Sequence, residues 1–165
     1  MVFGHFGDDV LRGGHSNDRL DGGAGSDNID GGRGNDQIDG GEGVDRLRGG
    51  SGRDILVGGA DADAFMFENG DVRTTRTQAD VVRDFAQLDG DLINLQFLDA
   101  KTATEADDRF AFLGNKAFSG IAGQLRYDVV AGNTFVEGNT DGDKLADFYV
   151  RLDGLHTLVA ADFVF

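Results

Sequence analysis

The chain has 165 residues, with 27 Gly and neither Cys nor Pro, and its 30 acidic against 15 basic residues give a net charge of −15. That acidity argues against nucleic acid, whose phosphates attract Lys and Arg, and against anionic membrane surfaces; no apolar run approaches the ~20 residues of a membrane-spanning helix. Without Cys there are no disulfides, so a secreted chain of this kind needs another stabiliser.

From Gly4 to Met66 a nine-residue unit recurs seven times, Gly-Gly-x-Gly-x-Asp-x-U-x with U apolar. Its acidic positions are Asp9, Asp18, Asp27, Asp36, Asp45, Asp54 and Asp63, and its apolar ones are Leu11, Leu20, Ile29, Ile38, Leu47, Leu56 and Phe65. Position one is always Gly, position two is Gly except at His5, and position four is Gly except at Ser16 and Asp61. Such Gly density implies turns with positive φ or close backbone approach, at an entropic cost that something must offset. One apolar side chain between two polar neighbours suits a three-residue strand with alternating faces. A six-residue turn and a short strand make half a coil, so two repeats make one coil, with parallel strands stacked ~4.8 Å apart.

Stacking sets the Asp of each repeat against that of the second repeat along. Without a cation this column of like charge is repulsive; with Ca²⁺ it supplies the hard oxygen ligands of which that ion takes roughly 6 to 8. Turn carbonyls at Gly13, Gly22, Gly25, Gly31, Gly34, Gly40, Gly43, Gly49 and Gly52 complete the expected ligand set, with Asp61 standing at a turn position that Gly holds elsewhere. Pairing each repeat with the second one along predicts about five Ca²⁺ sites in the roll. One apolar residue per repeat cannot bury a broad core, so metal takes over as the stabilising device. A flexible acidic linker is the plainer alternative; it gives no reason for an apolar residue at one phase of the period seven times running, although without calcium it is the expected state.

The repeat resembles the calcium-binding nonapeptide of the RTX (repeats-in-toxin) family, and the chain as a whole is most similar to the C-terminal region of serralysin-type secreted proteases. Asp63-Ala-Phe-Met-Phe67 resembles a last repeat running into an ordinary strand. Ala79-Asp80-Val-Val-Arg-Asp84-Phe85, followed by Asp89-Gly-Asp91-Leu-Ile-Asn-Leu95, resembles the family's post-roll signature, with a different spacing of the Gly before the acidic residue. The resemblance implies an all-β fold, a parallel β-roll (a β-helix-like solenoid) over residues 4–66 followed by a β-rich C-terminal cap over 67–165. It also implies further calcium ligands at Asp71 and Asp80, for one or two additional ions, and a secreted, extracellular protein.

Past the roll, residues 98–109 are acidic and contain Ala and Thr, the composition of a short helix. Leu125 to Val129 and Phe148 to Leu152 alternate apolar and polar like half-buried strands, and Ala131-Gly-Asn133 reads as a hairpin turn toward Thr134 to Glu137. Asn139 to Asp147 admits two readings: the opening of an EF-hand-like loop that lacks the closing Glu, or an Asx-rich turn between strands. The segment as a whole is expected to cap the roll, as repeat arrays require. The last residues, Asp162-Phe-Val-Phe165, resemble the uncleaved C-terminal signal of type I secretion substrates, and by themselves would also suit a final strand.

No catalytic constellation is present: the histidines are His5, His15 and His156, no His-Glu-x-x-His helix occurs, and Ser119 lacks the strand-turn-helix context of a nucleophile. The N-terminus carries no conventional signal peptide, and a catalytic domain, if the protein has one, is expected upstream of residue 1. The sequence therefore points to a non-catalytic module that folds on extracellular calcium and engages the type I secretion machinery through its tail. The alternative is a polysaccharide-binding module resembling those of mannuronan epimerases, for which Arg46, Arg48, Arg53, Arg73, Arg76 and Arg83 are available.

Overall fold

The computed structural model describes residues 1–101 and 109–165. Two columns of parallel strands build its first half. β1 (Val2–Phe6), β3 (Arg19–Ala24), β5 (Gln37–Glu42) and β7 (Ile55–Ala60) stack into one sheet; β2 (Val10–Gly14), β4 (Asn28–Arg33), β6 (Arg46–Ser51) and β8 (Ala64–Glu68) stack into the other. The register never slips: Leu20 lies beside Ile38 and Ile38 beside Leu56, while Ile29 lies beside Leu47 and Leu47 beside Phe65. Two repeats therefore make one coil, as the spacing requires.

The strands run five or six residues rather than the three expected. From β2 to β7 each continues past its apolar residue through the Gly-Gly pair of the next repeat, so that Gly23 pairs with Gly41 and Gly41 with Gly59. The turn proper is correspondingly shorter. Leu11, Leu20, Ile29, Ile38, Leu47, Leu56 and Phe65 form a single internal column, none more than 4 % exposed.

The columns do not stop at the last repeat. β9 (Asp80–Val82) adds to β7, placing Val82 beside Leu56, and β10 (Leu92–Phe97) adds to β8, placing Ile93 beside Phe65. From β9 the first sheet continues through β14 (Phe148–Leu152), β13 (Asn133–Asn139), β12 (Gln124–Val130) and β11 (Ala111–Phe112) to nine strands. The second ends on β15 (Phe163–Val164), parallel to β10, as a six-stranded sheet. One hydrophobic cluster joins the roll's internal column to Phe67, Phe85, Leu95, Phe110, Leu125, Val136, Phe148 and Phe163.

The β12–β13 hairpin turns at Ala131 and Gly132, both at positive φ (51° and 82°), as a tight two-residue turn requires. The tail Asp162 to Phe165 is packed: Phe163 is buried with its ring 5.0 Å from that of Phe112, and Asp162 accepts the N–H of Val159 and a hydrogen from Gln87 Nε2. The helix anticipated over 98–109 falls mainly on residues outside those described.

Candidate metal centre

The Asp side chains are built into the stacking itself. The backbone N–H of Asp9 donates to Oδ1 of Asp27 at 2.8 Å, Asp18 to Asp36 at 2.7 Å, Asp27 to Asp45 at 2.8 Å, Asp36 to Asp54 at 2.7 Å and Asp45 to Asp63 at 2.9 Å. Every rung thus uses one carboxylate oxygen to hold the turn below. The ladder then passes beyond the repeats, with Asp54 donating to Asp80 at 2.8 Å and Asp63 to Asp91 at 3.0 Å. Asp91 was not anticipated as a rung. The signal was present, because Asp80-x-Val82 and Asp91-x-Ile93 both keep the acidic–apolar spacing of the repeat without its glycines.

The second oxygen is left over. Oδ2 of Asp9, Asp27, Asp36, Asp45, Asp54 and Asp63 is buried and has no hydrogen-bond partner. Position-one Gly explains where these oxygens point. A Cβ on Gly22 would overlap both Oδ2 of Asp27 and the carbonyl oxygen of Gly40; on Gly31, Oδ2 of Asp36 and the carbonyl of Gly49; on Gly40, Oδ2 of Asp45 and the carbonyl of Gly58. Gly4 stands in the same relation to Asp9 and the Gly22 carbonyl, and Gly13 to Asp18 and the Gly31 carbonyl. These are five cradles, each bringing a carboxylate oxygen and a carbonyl oxygen from the second repeat along toward one small space that a side chain would fill. The Gly13 cradle differs, since Ser16 Oγ donates to Oδ2 of Asp18 at 3.2 Å.

Position-four residues form two further columns, one for each set of alternate repeats. Gly25, Gly34, Gly43 and Gly52 lie over the carbonyls of Gly7, Ser16, Gly25 and Gly34, at positive φ that only Gly adopts without strain. Asp61, the irregular member, takes φ 75° and adds its negative charge to the surroundings of Asp45.

Burial dominates the electrostatics. It pushes the carboxyl groups of Asp45 and Asp54 up to about 6, Asp63 to about 7 and Asp80 to about 8, against the lowering effect of the rung's backbone N–H and with added repulsion from neighbouring carboxylates. Asp36 is raised for the same reasons. Desolvated, mutually repelling oxygens can be satisfied by protons or by a cation. Among the described residues no group of three or more His, Cys, Asp or Glu side chains converges closely enough to hold a metal. The donors available per cradle are therefore a carboxylate and backbone carbonyls, a hard oxygen set that suits Ca²⁺ and not the nitrogen and sulfur sites of zinc.

Other anticipated residues lie elsewhere. Asp71 is outside the ladder: Arg48 Nε donates to its Oδ2 at 2.9 Å and Arg48 Nη2 to its Oδ1 at 3.2 Å. His5 is exposed on β1 and not in a turn, and His15 is exposed in the turn after β2. The Asn139 to Asp147 loop closes on itself, with Asn139 Nδ2 donating to the carbonyls of Asp143 and Leu145, and Asp147 Oδ2 accepting the N–H and hydroxyl of Thr140. This is the Asx-rich turn between β13 and β14.

The model of the Peptidase M10 serralysin C-terminal family matches residues 9–165. The chain belongs to the serralysin C-terminal family. Its all-β parallel roll, oxygen cradles and membership of this family make it a calcium-binding β-roll. Among solved structures this family member resembles the AlgE6R3 subunit of the Azotobacter vinelandii mannuronan C5-epimerase, with TM-score 0.65 and 29% identity over 93% of this chain and 80% of that one. It also resembles the AlgE6R2 subunit of the same enzyme, with TM-score 0.60 and 30% identity over 99% and 91%. No curated protein matches the chain.

Proposed function

We propose that the chain is a calcium-dependent folding module that stays expanded where calcium is scarce, folds through its five cradles outside the cell, and supports type I secretion of the protein that carries it. The observation that carries this reading is the column of buried Oδ2 atoms without partners. Left charged and unpaired, buried carboxylates of this kind oppose folding. When bound, calcium supplies positive charge and oxygen coordination at each cradle. The residues do the rest: Oδ1 fixes each carboxylate on the turn below, position-one Gly keeps the space open, and the carbonyl of the second repeat along faces it. Unfolded chain has no such cradle, so binding free energy becomes folding free energy.

Two further features support the reading. With no Cys in the chain, there is no disulfide to hold the thin roll. The tail packs as β15 with Asp162 and Phe163 buried, so folding covers part of it, which fits export before folding. The module itself carries no catalysis and serves a host domain. Circular dichroism with calcium titrated against chelator tests the switch: a β spectrum that grows with calcium is expected, and a full β spectrum in chelator at neutral pH sinks it while leaving the binding sites standing.

A second reading, polysaccharide binding, is favoured by the likeness to the epimerase subunits and by a depression on the outer face of β2, β4, β6 and β8 that includes Arg12, Arg46 and Arg48. Arg48 is already paired with Asp30, Glu68 and Asp71, which weakens this reading. Micromolar binding of alginate in calorimetry with calcium present would reverse the order.

A further inference from the structure

The two turn edges of the roll carry opposite charge. On the edge formed by the turns before Asp9, Asp27, Asp45 and Asp63, the charged side chains outside the ladder are all acidic: Asp8, Glu42 and Asp61. Asp84 joins them beyond the repeats, where it accepts the N–H groups of Gly58 and Gly59. On the other edge, formed by the turns before Asp18, Asp36 and Asp54, they are Arg33 and Arg53. Arg73 follows, its Nε donating to the carbonyl of Gly52 at 2.7 Å. Successive coils stack ~4.8 Å apart, so this edge presents a row of guanidinium groups, one to each level.

The row is unpaired and built on a fixed backbone. Arg33 and Arg53 are exposed, and among the described residues none of the three arginines forms an ion pair. Asp30 and Asp71 line a depression with Arg33, but Arg48 pairs with both. Asn17 Oδ1 accepts the N–H of Asn35, and Asn35 Oδ1 accepts that of Arg53, each at 2.8 Å. The Nδ2 groups of these two amides have no partner among the described residues. Asn35, Arg53, Arg73 and Gln78 line one open depression.

Charge and hydrogen-bonding chemistry select the occupant. A second copy could offer its acidic edge, but exposed ion pairs are individually weak, and three fall short of the entropic cost of docking two proteins. A linear polyanion meets the whole row and gains from released counterions. Nucleic acid would find no stacking platform, because the turns of this edge and residues 69–79 hold no Phe, Tyr or Trp. Free amide donors beside the arginines suit sugar hydroxyls, and a uronic-acid polymer carries a carboxylate on every ring.

We infer that the arginine edge binds an acidic polysaccharide, a uronic-acid polymer laid along the stacking direction with its carboxylates on Arg33, Arg53 and Arg73 and its hydroxyls on Asn17, Asn35 and Gln78. The inference rests on the calcium reading in one respect: Asp18, Asp36 and Asp54 lie in the same turns, and the edge is positive only when bound calcium offsets them. The site is separate from the outer face of β2, β4, β6 and β8, where Arg12 and Arg46 stand.

Calorimetry on the calcium-loaded full chain tests it, with an oligouronate too short to gel with calcium as the probe. Wild type should bind, with an affinity that falls as salt rises. Arg33→Gln with Arg53→Gln should weaken binding at least tenfold and reduce the slope of log affinity against log salt by about two. Arg12→Gln with Arg46→Gln should stay within twofold of wild type. No hydrogen bond or ion pair of these four side chains holds the fold, so both double variants should keep the wild-type β spectrum and calcium number. No binding by wild type, or an equal loss in the two double variants, overturns the inference. Equal binding of a neutral glucan of the same length, or tighter binding of an oligonucleotide, overturns the choice of a uronate. Self-association in sedimentation that only Arg33→Gln with Arg53→Gln abolishes, without oligouronate binding, assigns the edge to a second copy and overturns it too. A chain fully folded in chelator defeats the calcium reading instead, and the comparison of the two double variants still judges the edge.

Discussion

Glycine serves two separate purposes in this repeat, and the residue scale separates them. At positions two and four it supplies positive φ, and two of the three residues that replace it keep the angle, His5 at 78° and Asp61 at 75°, while Ser16 does not. At position one φ is not positive; Gly is required there because Oδ2 and a carbonyl oxygen occupy the space of a side chain. Gly31→Ala should therefore cost about 1–3 kcal/mol by overpacking and displace the very oxygens of a cradle. Gly14→Ala, where φ is 107° and an added Cβ meets nothing within 4 Å, should cost about 1–2 kcal/mol through backbone strain alone. Urea unfolding cannot tell these costs apart, but calcium titration can: the midpoint should rise severalfold in Gly31→Ala and stay put in Gly14→Ala. Equal midpoints would refute the cradle assignment.

At the scale of elements, β9 and β10 extend the roll by copying its rung without copying its turn. Asp91 has both oxygens engaged, one by the N–H of Asp63 and one by that of Ala86, whereas Asp36 has only Oδ1 engaged, by the N–H of Asp18, and Oδ2 buried without a partner. The same substitution should thus have different consequences. Asp91→Ala leaves two backbone N–H groups without their acceptor, a cost of about 1–3 kcal/mol for each that stays buried, with the number of bound calcium ions unchanged. Asp36→Ala should lose an ion. Calorimetry and unfolding on both variants check the pair, and loss of an ion from Asp91→Ala would place a cradle at β10. The Asp71–Arg48 pair belongs to this scale too: the family resemblance implied a calcium ligand at Asp71, and in the structure a guanidinium on β6 holds both its oxygens.

Over the whole molecule the column behaves as one titrating system. In the calcium-free chain the carboxyl groups of Asp45, Asp54, Asp63 and Asp80 are raised above their ordinary value of 3.8, to between about 6 and about 8. A raised folded-state value means that the fold binds these protons more tightly than the unfolded chain does. Their contribution is therefore fully present below about pH 4 and is lost as pH rises through about 6 to 8. In chelator, the β signal should be stronger at pH 5.5, still above the sequence isoelectric point of 4.3, than at pH 8. Stability in chelator that rises with pH would contradict this. The sequence by itself determined the coil of two repeats, the internal apolar column, the acidic ladder and its oxygen chemistry, because each follows from a local pattern whose every copy meets the same neighbours. Only the tertiary structure decided how the ladder ends: the rungs to Asp80 and Asp91 span 26 and 28 residues, not a multiple of the repeat, and Arg73, Asp84 and Arg48 find their partners across the fold. Contacts between segments with no common period depend on where the packed strands bring them, and no spacing in the chain encodes that.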